Sequence, residues 1–184
     1  MKRCDWVRHD EEIKYHDEEW GIPSYDDAYL FEMLILEGFQ AGLSWYTILK
    51  KRENFRKAFA SFDYHKIAMF SDEQFEALMN DEGIIRNRLK IWGTKKNALA
   101  FMAVQKEFGS FSKYIWGFVN DKPIINSRPS LKDVPASTEL SDKISKDLKK
   151  RGFTFVGTTI TYAFMQAVGI VNDHVNDCDF KKAS

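Results

Sequence analysis

The sequence lacks any apolar run approaching the roughly 20 residues needed to span a bilayer, and Met1-Lys-Arg-Cys-Asp-Trp6 lacks the apolar segment of a signal peptide. A cytoplasmic protein that does not enter membranes is therefore expected. Net charge is also missing: 27 basic residues balance 27 acidic ones, so global electrostatics single out no partner. Any nucleic-acid surface must come from local clusters, such as Lys50-Lys51-Arg52, Arg86 to Lys96, or Lys143 to Arg151. There is no internal repeat and no low-complexity tract. Cysteine is scarce, with Cys4 near one end and Cys178 near the other. Without a signal peptide such a pair is either metal-binding or two unrelated thiols, and composition does not separate these.

What is present is enough apolar sequence, 44% of 184 residues, to bury one sizeable core, so one domain spanning residues 1–184 is expected. Apolar residues recur mainly at helical spacing, which predicts an all-α fold. A helix is predicted over about Asp26 to Gln40, with Leu30, Met33 and Leu34 on one face, and a second around Trp45 to Phe59. Ser71 and Gln74 have the spacing of a capping box opening a helix over about 72–80. Another helix is predicted from near Arg86 to Phe108, ended by Gly109. Asn126 to Thr138, with two prolines and several serines, reads as a loop. Leu140, Ile144 and Leu148 then form an apolar stripe ending at Arg151, and Thr158 to Val168 forms another.

Between those last two helices lies Gly152-Phe-Thr-Phe-Val-Gly157. A hairpin there can present unpaired backbone N–H groups to a phosphate, with Thr158 or Thr159 capping the second helix and Lys149, Lys150 and Arg151 adding charge. The same residues also suit an ordinary helical turn with Gly152 as C-cap, and the segment alone leaves both open. The commonest helix-hairpin-helix form has two glycines closer together; Phe155 stands where the first is expected.

Glu37 falls three residues after Leu34, four after Met33 and seven after Leu30, on the apolar face. A buried carboxylate needs a partner or a task. A salt bridge, for example to Arg52, is the commoner explanation. Trp6, Tyr15, Trp20 and Trp45 supply another, because aromatic rings around one carboxylate suit a flat cationic ring; each ring taken singly also suits core packing. Cys4, His16, His174 and Cys178 can together hold one tetrahedral zinc as a closed structural site, and the His-x-x-x-Cys spacing allows two ligands on one side of a helix or turn. His9 and His65 have no such partners and are expected at the surface.

These stretches together resemble a known family. Arg3-Cys-Asp-Trp6, Tyr15-His-Asp-Glu-Glu-Trp-Gly21, Leu36-Glu-Gly-Phe-Gln-Ala-Gly-Leu-Ser-Trp45, Gly83-Ile-Ile-Arg86, Lys149 to Thr159, Met165-Gln-Ala, Val171-Asn-Asp-His-Val175 and Cys178 are similar, in order and spacing, to the bacterial 3-methyladenine DNA glycosylase I family. The resemblance implies a helix-hairpin-helix glycosylase fold, with the hairpin unit over 140–168 and termini 1–25 and 170–184 stapled by one structural zinc on Cys4, His16, His174 and Cys178. It implies a monofunctional base-excision repair enzyme, without lyase activity, acting as a monomer on double-stranded DNA and releasing free 3-methyladenine. Glu37 is then the catalytic residue, Tyr15 shares its hydrogen bonding to the base, Trp45 stacks on the base, and Trp6 and Trp20 lie nearby. Gly42 and Leu43 would meet the DNA, Leu43 plugging the gap left by the flipped nucleotide, with Lys149, Arg151, Gly152, Gly157 and Thr158 at the backbone. Phe39 departs from relatives that carry a small or polar residue, and is expected at the edge of the pocket. Two readings from other classes remain to be separated: a non-enzymatic DNA clamp, which would give Glu37 no purpose, and a zinc hydrolase, which would require an open coordination position.

Overall fold

In the computed structural model, which describes residues 1–182, the centre of the molecule is the helix predicted around Glu37. This helix, α2, runs from Asp27 to Gln40, and Asp26 caps it by accepting a hydrogen bond from the Tyr29 amide at 3.3 Å. The sequence reads it as one-faced, but Leu30, Phe31 and every residue from Met33 to Phe39 are buried. A helix that is apolar nearly all round belongs inside a bundle. It is enclosed by α3 (Trp45–Ala58), α6 (Arg88–Phe108), α7 (Phe111–Gly117) and α9 (Thr158–Ala167). Around these lie α1 (Asp10–Glu18), the short α4 (Tyr64–Ala68) and α5 (Asp72–Leu78), and α8 (Glu139–Lys150).

The predicted punctuation is largely in place. Ser71 and Gln74 form both halves of a capping box, at 3.2 and 2.8 Å. Gly109 ends α6 with φ +90°, a conformation that suits glycine. The core is rich in rings, including Phe31, Phe101 and Phe111 in succession and a second group of Phe39, Phe55 and Phe59. Phe39 is buried in that second group, so it packs in the core and does not edge the pocket as expected.

Two details fall outside the helical reading. Ile124–Ile125 and Val171–Asn172 pair as two short parallel strands, β1 and β2, which carry the loop after α7 alongside the C-terminal segment. Within the long loop, Leu131–Asp133 forms a 3-10 turn.

The hairpin between α8 and α9 shows why its departure from the usual glycine pattern is tolerated. Phe155 has φ +56°, the left-handed conformation that glycine adopts freely and other residues only at a cost of roughly 1–2 kcal/mol. Its side chain lies against two helical glycines. A Cβ built on Gly38 of α2 would come 3.3 Å from Phe155 Cβ, and one on Gly93 of α6 would come 3.3 Å from the ring. Packing of the half-buried ring against two such notches offsets the backbone cost. Asn97 of α6 clamps the neighbouring Thr154, accepting from its amide at 2.8 Å and donating to its carbonyl at 3.1 Å. The readings left open for Gly152 and the hairpin are compatible. Gly152 does follow the C-cap of α8 with φ +96°, and the turn that follows is pinned to α6 through Asn97.

Candidate functional site

Glu37 is the starting point, because its position on α2 turns the carboxylate into the protein and not outward. It is 4% exposed, and burial pushes its pKa up from 4.5 to about 8. The expected salt bridge to Arg52 does not exist. Arg52, on α3, donates to Glu19 at 2.8 and 2.9 Å and to Glu32 at 2.7 Å, which satisfies its guanidinium within a different network. Glu37 Oε2 is buried with no hydrogen-bond partner among the described residues.

Three other buried polar atoms share that condition beside it: Tyr15 Oη, Trp6 Nε1 and Trp45 Nε1. Buried polar groups are paired in the great majority of cases, so four orphans around one space call for a common partner. The space is a cavity of about 370 Å³ whose walls include Glu37, Tyr15, Trp6, Trp20 and Trp45. α1 supplies Tyr15, α2 supplies Glu37, and the first residue of α3 supplies Trp45, set there by Ser44, which caps α3 at the Thr47 amide. The rings of Tyr15 and Trp45 lie 5.3 Å apart at 53°, and those of Trp6 and Trp20 lie 5.2 Å apart at 71°. The Tyr15 hydroxyl is held well above its usual pKa, first by burial and then by the Glu37 charge, so it is a neutral donor. One acceptor, three N–H or O–H donors and several π faces are the means of recognising a flat heteroaromatic base.

The cavity has further walls that no local sequence pattern marks. Leu131 and Val134 reach it from the long loop, and Ala163 and Gln166 from α9. Asp173 also lines it, fully buried. Gln40 was detectable in principle, because it lies three residues after Glu37 on the same helical face. Nothing in the serine-rich loop marked Leu131 or Val134.

Next to this cavity, Cys4 Sγ, a His16 nitrogen and Cys178 Sγ lie within 4.8 Å of one another, with Cys178 Sγ 3.6 Å from His16 Nε2. His174 stands outside that three-atom set, but its ring meets His16 edge-on at 4.8 Å. Both histidines are held by the other nitrogen: His16 Nδ1 is 2.8 Å from Asp17 Oδ1 and His174 Nδ1 is 2.8 Å from Asn172 Oδ1. Asp17 is in turn gripped by Arg3. This is the outer-shell arrangement that fixes a metal-ligating imidazole, and it leaves His174 Nε2 buried and unpartnered. Burial keeps His174 neutral, with a pKa lowered to about 4, and holds the Cys4 thiol up at about 12. Two thiols and two oriented imidazoles fit a tetrahedral zinc ion. Cys4 lines the cavity as well, and Trp20 lies between the cavity and the histidines, 4.6 Å from His174.

On the outside, Gly42 (φ +80°) and Leu43, 41% exposed, form the tip of the turn joining α2 to α3. Lys90 braces this turn from α6, its buried ammonium donating to the Phe39 and Ala41 carbonyls at 3.0 and 2.7 Å. Lys149 and Gly152 are exposed at the hairpin. Gly157 caps α9 without a side-chain bond; neither Thr158 nor Thr159 caps the helix, because the Thr158 hydroxyl pairs with Ser141 at 2.8 Å. Arg151 is turned away from the expected surface. It bridges Glu107 and Asp147 at 2.6 and 2.7 Å and covers the rings of Phe108 and Tyr114.

A helical bundle that surrounds an aromatic cavity with a buried carboxylate, beside an exposed turn and a hairpin, defines the class of nucleobase-excising glycosylases. Within that class the chain belongs to the methyladenine glycosylase family, whose profile matches residues 6–182. It is 52% identical over 180 residues to the DNA-3-methyladenine glycosylase of Haemophilus influenzae, covering 97% of each chain. The crystal structure of a 3-methyladenine DNA glycosylase I superposes with a TM-score of 0.94 at 51% identity, covering 97% of this chain and 98% of that one. A variant 3-methyladenine DNA glycosylase I, solved in complex with 3-methyladenine, superposes with a TM-score of 0.96 at 34% identity, covering 100% and 99%.

Proposed function

We propose that this chain is a single-domain, monofunctional DNA-3-methyladenine glycosylase of base-excision repair, built on the helix-hairpin-helix plan. The observation that carries the proposal is the buried, unpaired Glu37 carboxylate facing a cavity with three unpaired donors. Such a group is costly for a folding scaffold and useful for a ligand that brings positive charge. An adenine methylated at N3 within DNA is a flat cation. A non-enzymatic DNA clamp gives this cavity no use.

A base inside a duplex cannot reach the cavity, so the nucleotide must be flipped, at a cost of a few kcal/mol that is smaller for a damaged base. Leu43, on its exposed turn, fills the gap in the stack, while the hairpin with Lys149, Gly152 and the amides after Gly157 holds the backbone. Trp45 then stacks on the base, and Glu37 and Tyr15 hydrogen-bond its edge. As the C1′–N9 bond breaks, its electron pair neutralises the cationic ring. Water forms the new bond to C1′ and releases its proton. The protein contributes position and a preorganised charge. No lysine is among the described residues lining the cavity, and Lys90 is engaged by the Phe39 and Ala41 carbonyls at the end of α2, which supports water as the nucleophile over a Schiff base.

Cys4, His16, His174 and Cys178 would hold one structural zinc, joining the N- and C-terminal segments. Such an ion would keep the thiolates ionised and stiffen the wall that Cys4 and Trp20 give the cavity. Among the described residues no helix is long and apolar enough to cross a membrane.

The direct test is to incubate the protein with N-methylated double-stranded DNA and to identify released bases by chromatography. Release of 3-methyladenine is expected, with no protein–DNA adduct trapped by borohydride. Retention of every methylated base on the DNA would refute the reading.

A further inference from the structure

We propose that Asp173 is a positioning residue that sets the width of the base pocket, and that Leu131 and Val134 are its size-selecting wall. The inference rests on the glycosylase reading above and adds to it a determinant of which alkylated bases are accepted.

Two parts of the cavity lining come from elements with no continuous secondary structure between them. Leu131 and Val134 line it from the loop after β1, and Ala163 and Gln166 line it from α9. Asp173 joins these elements, and each of its oxygens serves one of them. Oδ1 accepts from Asn126 Nδ2 at 2.8 Å and from Arg128 Nε at 2.9 Å, both at the start of the loop. Oδ2 accepts from Gln166 Nε2 at 3.0 Å and from the Tyr162 hydroxyl, both on α9. The carboxylate is fully buried, and these four donors occupy both of its oxygens. Because both oxygens are occupied by the protein, Asp173 is suited to hold the walls and not to activate water.

The loop between the latch and the wall is stiff enough to transmit this. Arg128 is fastened a second time through its backbone, with its amide donating to Asn176 Oδ1 at 2.9 Å and its carbonyl accepting from the Asn176 amide at 2.8 Å. Two residues on, Asp133 Oδ2 accepts from both the amide and the hydroxyl of Ser130, at 2.9 and 2.8 Å, which closes the 3-10 turn that carries Leu131 and places Val134 directly after it. Displacing either anchor changes the separation between an apolar wall and a helix. In a slot for a flat ring, that separation decides which substituents fit.

The variants are Asp173→Asn, which replaces one acceptor oxygen by a donor, and the double variant Leu131→Ala/Val134→Ala, which leaves the latch intact. The assay uses duplex DNA carrying 3-methyladenine or 3-ethyladenine at one position, and reads the ratio of the two excision rates under single turnover. This ratio does not depend on how much of the enzyme is folded, so a merely structural role leaves it unmoved. One methylene against an apolar wall is worth about tenfold or more in discrimination. The ethyl-to-methyl ratio is therefore expected to rise by about tenfold in the double variant and to shift in the same direction in Asp173→Asn. An unchanged ratio in both variants overturns the proposal, as does a change in the double variant alone, which would remove Asp173 from the argument. If the unsubstituted protein releases no 3-methyladenine, it is the glycosylase reading that fails.

Discussion

Arg52 grips Glu19 through two nitrogens at 2.8 and 2.9 Å and Glu32 through a third at 2.7 Å, and makes no hydrogen bond to Glu37. The pairing leaves the Glu37 carboxyl in the interior with nothing among the described residues to balance its charge once it ionises. Folding alone gives no reason for this arrangement, whereas a cationic ligand does. Replacing Glu37 with Gln keeps the shape and removes the charge. Excision of 3-methyladenine from DNA is expected to fall by about tenfold to a hundredfold, the worth of a hydrogen bond to a charged group. Single-turnover kinetics on a defined duplex measure it, and an unchanged rate would show that Glu37 does not read the base.

The same substitution should stabilise the protein, in a pH-dependent manner. The pKa of Glu37 is raised in the folded state, from 4.5 to about 8, so its ionisation opposes folding. That cost is absent below the unfolded value, grows between pH 4.5 and 8, and is complete above it, reaching a few kcal/mol at about 1.4 kcal/mol per unit. Thermal melts of Glu37→Gln against the unsubstituted protein should show a gain at pH 9 several times that at pH 5. In parallel, kcat/KM on methylated DNA should rise as the free enzyme ionises near pH 8, and this rise should be missing from the variant.

Metal removal should act on stability and on the pocket together, because Cys4 belongs to the cavity wall and Trp20 touches both His16 and His174. One zinc per chain is expected by elemental analysis. Cys178→Ser should lose the metal and lower the melting temperature, in line with the several kcal/mol that structural zinc sites contribute. It should also weaken quenching of tryptophan fluorescence by free 3-methyladenine. Full metal content with Cys178 replaced would show that the cluster is two thiols and two packed histidines.

Much of this was legible in the sequence where the pattern is local. Helix spacing placed α2, α3, α6, α8 and α9 within a few residues, and the capping signals at Ser71 and Gly109 operate as read. Glu37 stood out because a helical period puts it on an apolar face. Long-range relations were not legible. Whether Arg52 pairs with Glu37 or with Glu19 depends on how α1 packs on α3. Leu131 and Val134 line the cavity from a loop that Asp173 and Asn176 hold from far along the chain, and β1 pairs with β2 across 45 intervening residues without any local signal. Charge was misleading for a similar reason. Arg151 reads as part of a basic cluster, and only the folded chain shows that its partners, Glu107 and Tyr114, lie on other helices.

That difference between Arg151 and its neighbour gives the last test. Lys149 is exposed and makes no ion pair among the described residues, so its charge is free for a phosphate. Arg151 is 24% exposed and engaged by two carboxylates and two rings. Lys149→Ala should leave the melting temperature unchanged, weaken binding to DNA of any sequence, and reduce the slope of log affinity against log salt by about one. Arg151→Ala should do the reverse, lowering stability by about 1 kcal/mol through lost packing and partly screened ion pairs while the salt slope stays as it was. Binding measured by fluorescence anisotropy between 50 and 200 mM salt, roughly the range over which such slopes are resolved, distinguishes them. A slope that falls with Arg151→Ala and not with Lys149→Ala would mean that Arg151 leaves its partners when DNA arrives, and that the hairpin surface extends over the end of α6.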